Sequence, residues 1–529
     1  MSAHMSGLVR SNLVVATGTT VSRVTGLARL IVFGMVVGQT ALADAFDLAN
    51  NVPNAIYELL LGGILSASLV PLFVDLLAHD DPDRDGIGAV WSVATTALVV
   101  ITGLAWLASP QIFHVLSISP SASVDAAIYR EAGTALTRIF VVQIFFYGIA
   151  ALSTGLLNAQ RRFFAAAWSP ALANVVAIGS FIILAQQVDG ARPGITDVLD
   201  SPRIRFTLGL GTTLGIVLMA LVQYSVVARS VSFLSPRRAL SHPAVRKLAT
   251  LSAWSIGYVI ANQVALIVVK NLADPGSGWV DAYSKAYILL QLPHGLLAVS
   301  IATTFVPDLA AAARRSAAEF ADIAARGIRL TSLVTFPASV GIFVLARPIV
   351  GMVFAHGNFD LVAADTTTGV VRAMALGLGG FSVYLFVLRC FYAHSDTRTP
   401  FFVNLIENLL NIVLAVVLVD RHGVAGLGYA FAGAYLIAAA LALVTLATKH
   451  DVDLTAIVTN LAGIVVGSTL MGLAVRVTST SFGSNVGLGA SARVGTGVAV
   501  GIVTFGIYVA LFNSDVRGYL SSRTTRSSR

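Results

Sequence analysis

Apolar runs long enough to cross the roughly 30 Å of a bilayer's hydrocarbon recur from one end of this 529-residue chain to the other, and few folds can accommodate them. About fourteen such spans can be drawn, at 12–38, 45–76, 87–113, 131–157, 165–186, 206–228, 248–272, 282–310, 327–346, 366–393, 400–419, 424–448, 455–475 and 494–513. The runs are continuous and lack two-residue alternation, so they predict helices rather than the strands of a barrel. Only 11% of residues are charged, against about 25% in ordinary soluble domains, and no polar stretch reaches domain length. The expected fold is therefore all-α and integral to the membrane, with no soluble catalytic module.

Basic residues orient the spans. With the N-terminus in the cytoplasm, Lys and Arg in the cytoplasmic segments outnumber those in the outer ones by more than two to one. The cytoplasmic set includes Arg161, Arg162, Arg229, Arg237, Arg238, Arg246, Lys247, Arg314 and Arg315, with Arg517, Arg523, Arg526 and Arg529 in the tail. This positive-inside bias places both termini in the cytoplasm. One outer loop, carrying Arg192, Arg203 and Arg205, runs against it; the acidic loop of Asp80, Asp81, Asp83 and Asp85 does not, because acids count little. Arg23 and Arg29 interrupt the first apolar run, so it reads as a retained helix rather than a signal peptide. The single cysteine, Cys390, can form neither an intrachain disulfide nor a cysteine metal cluster.

The chain also resembles itself at a spacing of about 234 residues. Arg138 matches Arg372, Ala159 matches Ala393 and Asn174 matches Asn408, while Val70-Pro71 and Val306-Pro307 lie at nearly the same offset. Six spans separate the copies, an even number, so the repeats are parallel, as in transporters that rock one lobe against another. The expected organisation is an N-lobe at 1–230, a C-lobe at 231–450, and two extra helices with a basic tail at 451–529.

Charge inside the spans is the main pointer to function. An arginine at mid-bilayer costs about 2.5–3.5 kcal/mol on insertion scales, so it must face protein or a wet cavity. In the first span Ser22, Gly26 and Arg29 share a helix face, with Arg23 about 100° away. Two readings are open: a cationic wall whose planar guanidinium forks suit phosphate, or pairing with an acid such as Asp44 or Glu58. In the second span Pro53 and Pro71 should kink or break the helix, giving Asn50, Asn51 and Asn54 a polar interior. Glu58, one turn beyond Asn54, is the expected counter-charge to the first-span arginines. Lys270 ends the seventh span, where it is expected to snorkel to the outer interface; Lys285 lies inside the eighth, which Pro293 and Gly295 break much as Pro53 and Gly62 break the second. In the eleventh span Asn404, Glu407, Asn408 and Asn411 recur at i, i+3, i+4 and i+7. Such an oxygen stripe suits either a monovalent cation or proton, or a hydrogen-bonded helix seam. His114, His356 and His394 lack metal spacing, and no phosphate loop, nucleophile elbow or carboxylate pair points to an enzyme or to a bound metal or cofactor.

Several motifs are similar to one family: "SRVTGLARLIVFG" at 22–34, "ADAFDLANNVPN" at 43–54, "GGILSASLVPLF" at 62–73, "LLNAQRRF" at 156–163, "VFAHGNFD" at 353–360 and "FYAHSDTRTP" at 391–400. Together they resemble the MurJ/MviN family of lipid II flippases, within the multidrug/oligosaccharidyl-lipid/polysaccharide exporter superfamily. The resemblance implies a two-lobed bundle whose central cavity is lined by spans 1, 2, 7 and 8, with spans 13 and 14 holding a polyprenyl tail. It implies that Arg23 and Arg29 contact a pyrophosphate, that Asp44 belongs to a gate near the outer ends of spans 1 and 2, and that Asn404 and Asn408 belong to a sodium site. The chain departs from the pattern where the family often has two further arginines: it reads Ala55 to Glu58 after "PN", and Ile288 in the eighth span. Lys285, one turn before Ile288, is expected to supply the missing cation.

The expected function is alternating-access flipping of lipid II, undecaprenyl-pyrophosphate bearing a disaccharide-pentapeptide, with Na+ or H+ coupling and no covalent chemistry. The partners are that glycolipid, membrane lipids, and cell-wall synthesis and division proteins, with no nucleic acid. Export of another polyprenyl-linked glycan or of a small molecule, and a non-transporting cell-wall scaffold, are the alternatives.

Overall fold

Backbone amides and carbonyls in hydrocarbon have no water to bond, so apolar runs of this length close their hydrogen bonds within each segment. The computed structural model describes the backbone of residues 2–58, 69–78, 83–481 and 484–512, and their side chains except at 2–13, 249–256 and 258. Helices dominate, and no strand forms among the described residues. Gly62, Asp80, Asp81 and the basic tail residues lie outside them.

The chain divides into two compact units, one of Met1–Asp281 with His356–Phe359, the other of Ala282–Ala355 with Asp360–Arg529. The first contains α1 (Ser2–Val37), α2 (Ala41–Glu58), α3 (Val70–Leu77), α4 (Arg84–Leu107), α5 (Ser109–Leu116), α6 (Ala126–Phe140), α7 (Gln143–Ala159), α8 (Phe163–Gln187), the short α9 (Asp197–Asp200), α10 (Pro202–Val227), α11 (Pro236–Ser241) and α12 (Pro243–Leu272). The chain continues through α13 (Trp279–Pro293) into the second unit, which holds α14 (Val299–Arg315), α15 (Ala317–Val353), α16 (Leu361–Ala375), α17 (Leu378–Ala393), α18 (Arg398–His422), α19 (Val424–His450), α20 (Leu454–Thr480) and α21 (Gly487–Phe512).

Among the described residues eleven helices are long and apolar enough to cross a membrane, or twelve when α16 and α17, bent by 47° at their junction, count as one span. The two expected spans outside this count are 45–76, of which 59–68 are not described, and 248–272, of which only Val259–Leu272 registers as a shorter apolar helix. Proline acts differently in the two places where a break is expected. α2 stays helical through the buried Pro53, whereas α13 ends at Pro293 and passes through a π-turn, His294–Ala298, into α14.

The repeat is visible in each unit's own backbone. α6 breaks into α7 at Val141–Val142, and α16 breaks into α17 at Leu376–Gly377. The turns that follow place Arg161 (φ 57°) and Ser395 (φ 58°) in the left-handed region, 234 residues apart; Asp189 (φ 49°) and Gly423 (φ 57°) stand at the same offset. Left-handed residues at two matched turns are backbone details that composition alone does not produce. In the second turn Asp396 takes the Thr399 hydroxyl and amide at 2.6 and 3.0 Å and Lys449 at 3.2 Å. Burial pushes this carboxyl up, but those hydrogen bonds and the ammonium bring it down to about 2.

Within the first unit α8 lies between α1 and α10, and α2 packs on α6 and α7. Phe33, Phe46, Phe140 and Phe181 join α1, α2, α6 and α8 in one aromatic cluster, with ring centroids 4.6–6.0 Å apart. Arg192, the exception to the positive-inside bias, serves the packing of this unit. It donates at 2.5 Å to the carbonyl of Asn358, whose own amide and side chain bond the Met35 and Val36 carbonyls at the end of α1. In the second unit α15 packs on α14, α16, α17, α20 and α21, and α19 covers α16, α17 and α18.

Small residues set the closest approaches, as expected where lipid offers no hydrophobic drive between helices. A Cβ on Gly215 of α10 would stand 2.6 Å from the Ala173 carbonyl oxygen of α8, which is backbone and cannot swing aside. Gly215→Ala is therefore expected to destabilise the chain by about 1–3 kcal/mol, read as a lower unfolding temperature in detergent. Gly179→Ala, on α8 with nothing within 4 Å, should leave that temperature unchanged or raise it.

Candidate functional site

The first-span arginines stand half-buried on α1, and neither is in ion-pair contact with an acid among the described residues. Their helix is fixed by α8. Asn174 donates to the Ser22 carbonyl at 3.1 Å and to the Thr25 hydroxyl at 3.2 Å, and a Cβ on Gly26 would lie 3.5 Å from the same amide. Arg29 lies within electrostatic reach of the Tyr147 hydroxyl, which donates to Asn54 Oδ1 at 3.0 Å; the Tyr147 ring packs 4.3 Å from that of Tyr57. Arg29, Tyr147, Asn54 and Tyr57 thus form one polar group built from α1, α2 and α7. Asn51, also expected here, is half-buried on α2. Glu58 faces elsewhere: it accepts from Gln263 at 3.5 Å and feels the charge of Lys270, rather than pairing with Arg23 or Arg29.

Asp44 has no exposed surface. One carboxylate oxygen accepts the amides of Gly276 and Gly278 at 2.9 and 2.8 Å, and the other accepts that of Asp281 at 2.9 Å, in the first turn of α13. Convergence of the first two amides requires the left-handed backbone at Gly276 (φ 102°) and Gly278 (φ 89°), which only glycine adopts without strain. One turn further along α2, Asp47 binds Lys270 of α12 at 2.6 Å. Lys270 is 4% exposed, so it does not snorkel as the sequence suggested; a lysine closing an apolar run has been given a half-buried acid instead. Asp47 sits inside the "ADAFDLANNVPN" motif, and its i, i+3 spacing from Asp44 was the sequence signal for a second carboxylate on that face.

The second unit holds the remaining candidates. Lys285 is 1% exposed, with its ammonium 5.9 Å from the centre of the Phe354 ring. The α18 stripe is entirely internal: Asn404, Glu407, Asn408 and Asn411 are all buried. Asn408 donates to the Asn404 carbonyl at 2.9 Å, and the Tyr435 hydroxyl donates to Glu407. Glu407 Oε2 and Asn411 Oδ1 have no hydrogen-bond partner among the described residues. Tyr147 and Tyr435, neither marked by the sequence pattern, are the tyrosines on which these two polar groups rest.

Comparison with known proteins decides the family. A sequence profile described as lipid II flippase MurJ matches residues 34–495. This chain belongs to the MurJ family. It is similar to the lipid II flippase MurJ of Burkholderia cenocepacia, with 29% identity over 74% of this chain and 75% of that protein. It is likewise similar to the probable lipid II flippase MurJ of Rhizobium meliloti, with 28% identity over 89% of this chain and 86% of the relative. Among solved structures, a lipid II flippase MurJ in an inward closed conformation superposes with a TM-score of 0.79 at 20% identity, over 95% of this chain and 99% of that one. An inward-facing multidrug resistance MATE transporter of the MOP superfamily superposes with a TM-score of 0.61 at 15% identity, over 81% of this chain and 98% of that one, a likeness of fold alone.

In this MurJ family member Asp44 is the most completely bonded of the expected site residues, which yields a direct test. Asp44→Ala strands three buried amide donors and should cost about 3 kcal/mol or more, whereas Asp44→Asn keeps an acceptor and should cost less. Hydrogen exchange should show Gly276, Gly278 and Asp281 losing protection in the alanine variant; unchanged exchange at all three would remove the carboxylate from that role.

Proposed function

We propose that this chain flips lipid II, undecaprenyl-pyrophosphate carrying a disaccharide-pentapeptide, from the cytoplasmic to the outer leaflet of the bacterial inner membrane by alternating access. Both termini lie in the cytoplasm. Membership of the MurJ family supports the substrate class. The observation that carries the reading is the pair Arg23 and Arg29, two cations on a membrane-spanning helix with no ion-paired acid among the described residues. Charge in hydrocarbon is costly unless answered, and a pyrophosphate supplies the answer bidentately to guanidinium forks. Asn51 and Asn54 offer amides to the same headgroup, Lys285 is a further candidate cation on α13, and Asp44 holds the gate segment at 276–281. No covalent step is required: a ligand shifts the balance of two conformations through its differential affinity for them.

The test is rescue of bacteria depleted of their own lipid II flippase, with variants at matched membrane expression. Wild type should restore growth. Arg23→Ala and Arg29→Ala should each lower flipping by about ten- to a hundredfold, the loss of one charge-assisted contact. Failure of wild type to rescue would remove lipid II as the substrate, and full activity of both arginine variants would remove the cationic site. Lys285→Ala at wild-type activity would leave α1 as the only cationic wall.

The α18 stripe supports coupling to Na+ or H+. Glu407 Oε2 and Asn411 Oδ1 are buried oxygens with no hydrogen-bond partner among the described residues, and a hard cation or a proton satisfies such oxygens. Flipping by reconstituted wild type should depend on the Na+ or H+ gradient, and Glu407→Gln and Asn408→Ala should flatten that dependence. The same dependence in wild type and both variants would make the stripe a helix seam.

A further inference from the structure

Away from the polar groups of α1, α2 and α18, a cavity of about 150 Å³ opens between α15 and α20. That is room for about five waters, or for a phosphate with its ester carbons. Its polar lip is built by Arg326 and Arg329 on α15 and Asn460 on α20; its floor is apolar, from Ile328, Ile457 and Leu461. Ile328 and Ile457 are 1% and 5% exposed, so the floor belongs to the packed interior while the lip stays open.

Three facts narrow what would sit there. Both walls are the opening turns of long membrane-crossing helices, Ala317–Val353 and Leu454–Thr480, so the cavity lies where hydrocarbon gives way to headgroups. Charge at the lip favours an anion. The lining holds two arginines and one acid, Asp322, which is tied to Arg326 at 3.0 Å. The cavity lies where α20 meets α15, and Gly463 and Gly467 of the same helix pack against Tyr508 of α21 beside it. A basic lip above an apolar floor at a membrane boundary matches a molecule with a phosphate at one end and acyl chains at the other.

We infer that the cavity between α15 and α20 binds the headgroup of an anionic phospholipid, with Arg326 and Arg329 on the phosphate, Asn460 on its esters, and the acyl chains leaving along the apolar floor. The site is separate from the substrate-binding residues and stands whether or not lipid II is the cargo. Its occupant would pin α15, the helix against which α14, α16, α17, α20 and α21 all pack, to the leaflet proposed as cytoplasmic.

The test is thermal unfolding of the full chain in neutral detergent, titrated with phosphatidylglycerol, phosphatidylcholine or inorganic phosphate. Phosphatidylglycerol should raise the unfolding temperature of wild type saturably, as mass action on the folded state requires. Phosphatidylcholine and inorganic phosphate should not. Arg326→Ala combined with Arg329→Ala should raise the half-saturating phosphatidylglycerol concentration by about tenfold or more. Ala456→Phe, which fills the cavity from an exposed position and leaves both arginines in place, should do the same and covers the event that the double variant fails to fold. The proposal is overturned if Ala456→Phe, or a folded double variant, keeps the wild-type response. An equal effect of phosphatidylcholine overturns it too, and an equal effect of inorganic phosphate reduces the site to one for free anions.

Discussion

Charge placed in hydrocarbon must be answered from within the protein, and in the first unit that requirement decides how α2 is held. Asp44 and Asp47 lie one turn apart on a helix with a buried face, where an unpaired carboxylate would be driven to neutralise. Three backbone amides answer the first and Lys270 answers the second. Removing one partner of such a set costs more than the intact set contributes, because it leaves the other partner desolvated and alone. The segment from Ala273 to Asp281 therefore docks on α2 in a nearly all-or-none way, and its glycines are there to let two amides converge. A helix N-terminus pointing at a carboxylate adds the favourable field of its unbonded amides.

Against that background the arginines of α1 stand out. The same unit that gives two acids and a lysine their partners leaves Arg23 and Arg29 without an ion-paired acid among the described residues; the Tyr147 hydroxyl lies within electrostatic reach of Arg29. A neutral tyrosine hydroxyl does not compensate a guanidinium, and Tyr147 spends its own proton on Asn54. The guanidinium is left with no acid in ion-pair contact among the described residues, the condition a site needs if an anion is to be attracted and then let go. Structural charge and available charge thus separate within one small unit.

The hydrophobic pattern made the fold class legible, and the spans it drew correspond to the long helices wherever the residues are described. The repeat was legible from three matched residues because each stands at a backbone landmark: Arg138 and Arg372 just before a helix break, Ala159 and Ala393 at a helix end, Asn174 and Asn408 inside the next helix. Partners were not legible. Nothing in the spacing of Lys270 names Asp47, since the two are 223 residues apart in sequence. The "VFAHGNFD" motif read as a family marker, yet its physical use is that Asn358 closes the last turn of α1, with Gly357 in the left-handed region (φ 57°) where a Cβ would meet the Met35 carbonyl. Pro53 lies inside α2 without interrupting it: a buried proline in a packed helix is tolerated when its neighbours hold the run together, so the ring alone does not determine a break.

The matched asparagines show how one scaffold comes to serve two purposes. Asn174 reaches out of its helix to the Ser22 carbonyl and the Thr25 hydroxyl, so the first copy spends this residue on fixing the helix that carries the cations. Asn408, at the same place in the second copy, donates back to the Asn404 carbonyl of its own helix and lies within a buried run of acceptors that includes Glu407 and Asn411. The matched asparagine therefore works between helices in the first copy and within its own helix in the second, so identity of sequence at a repeat position does not carry identity of use.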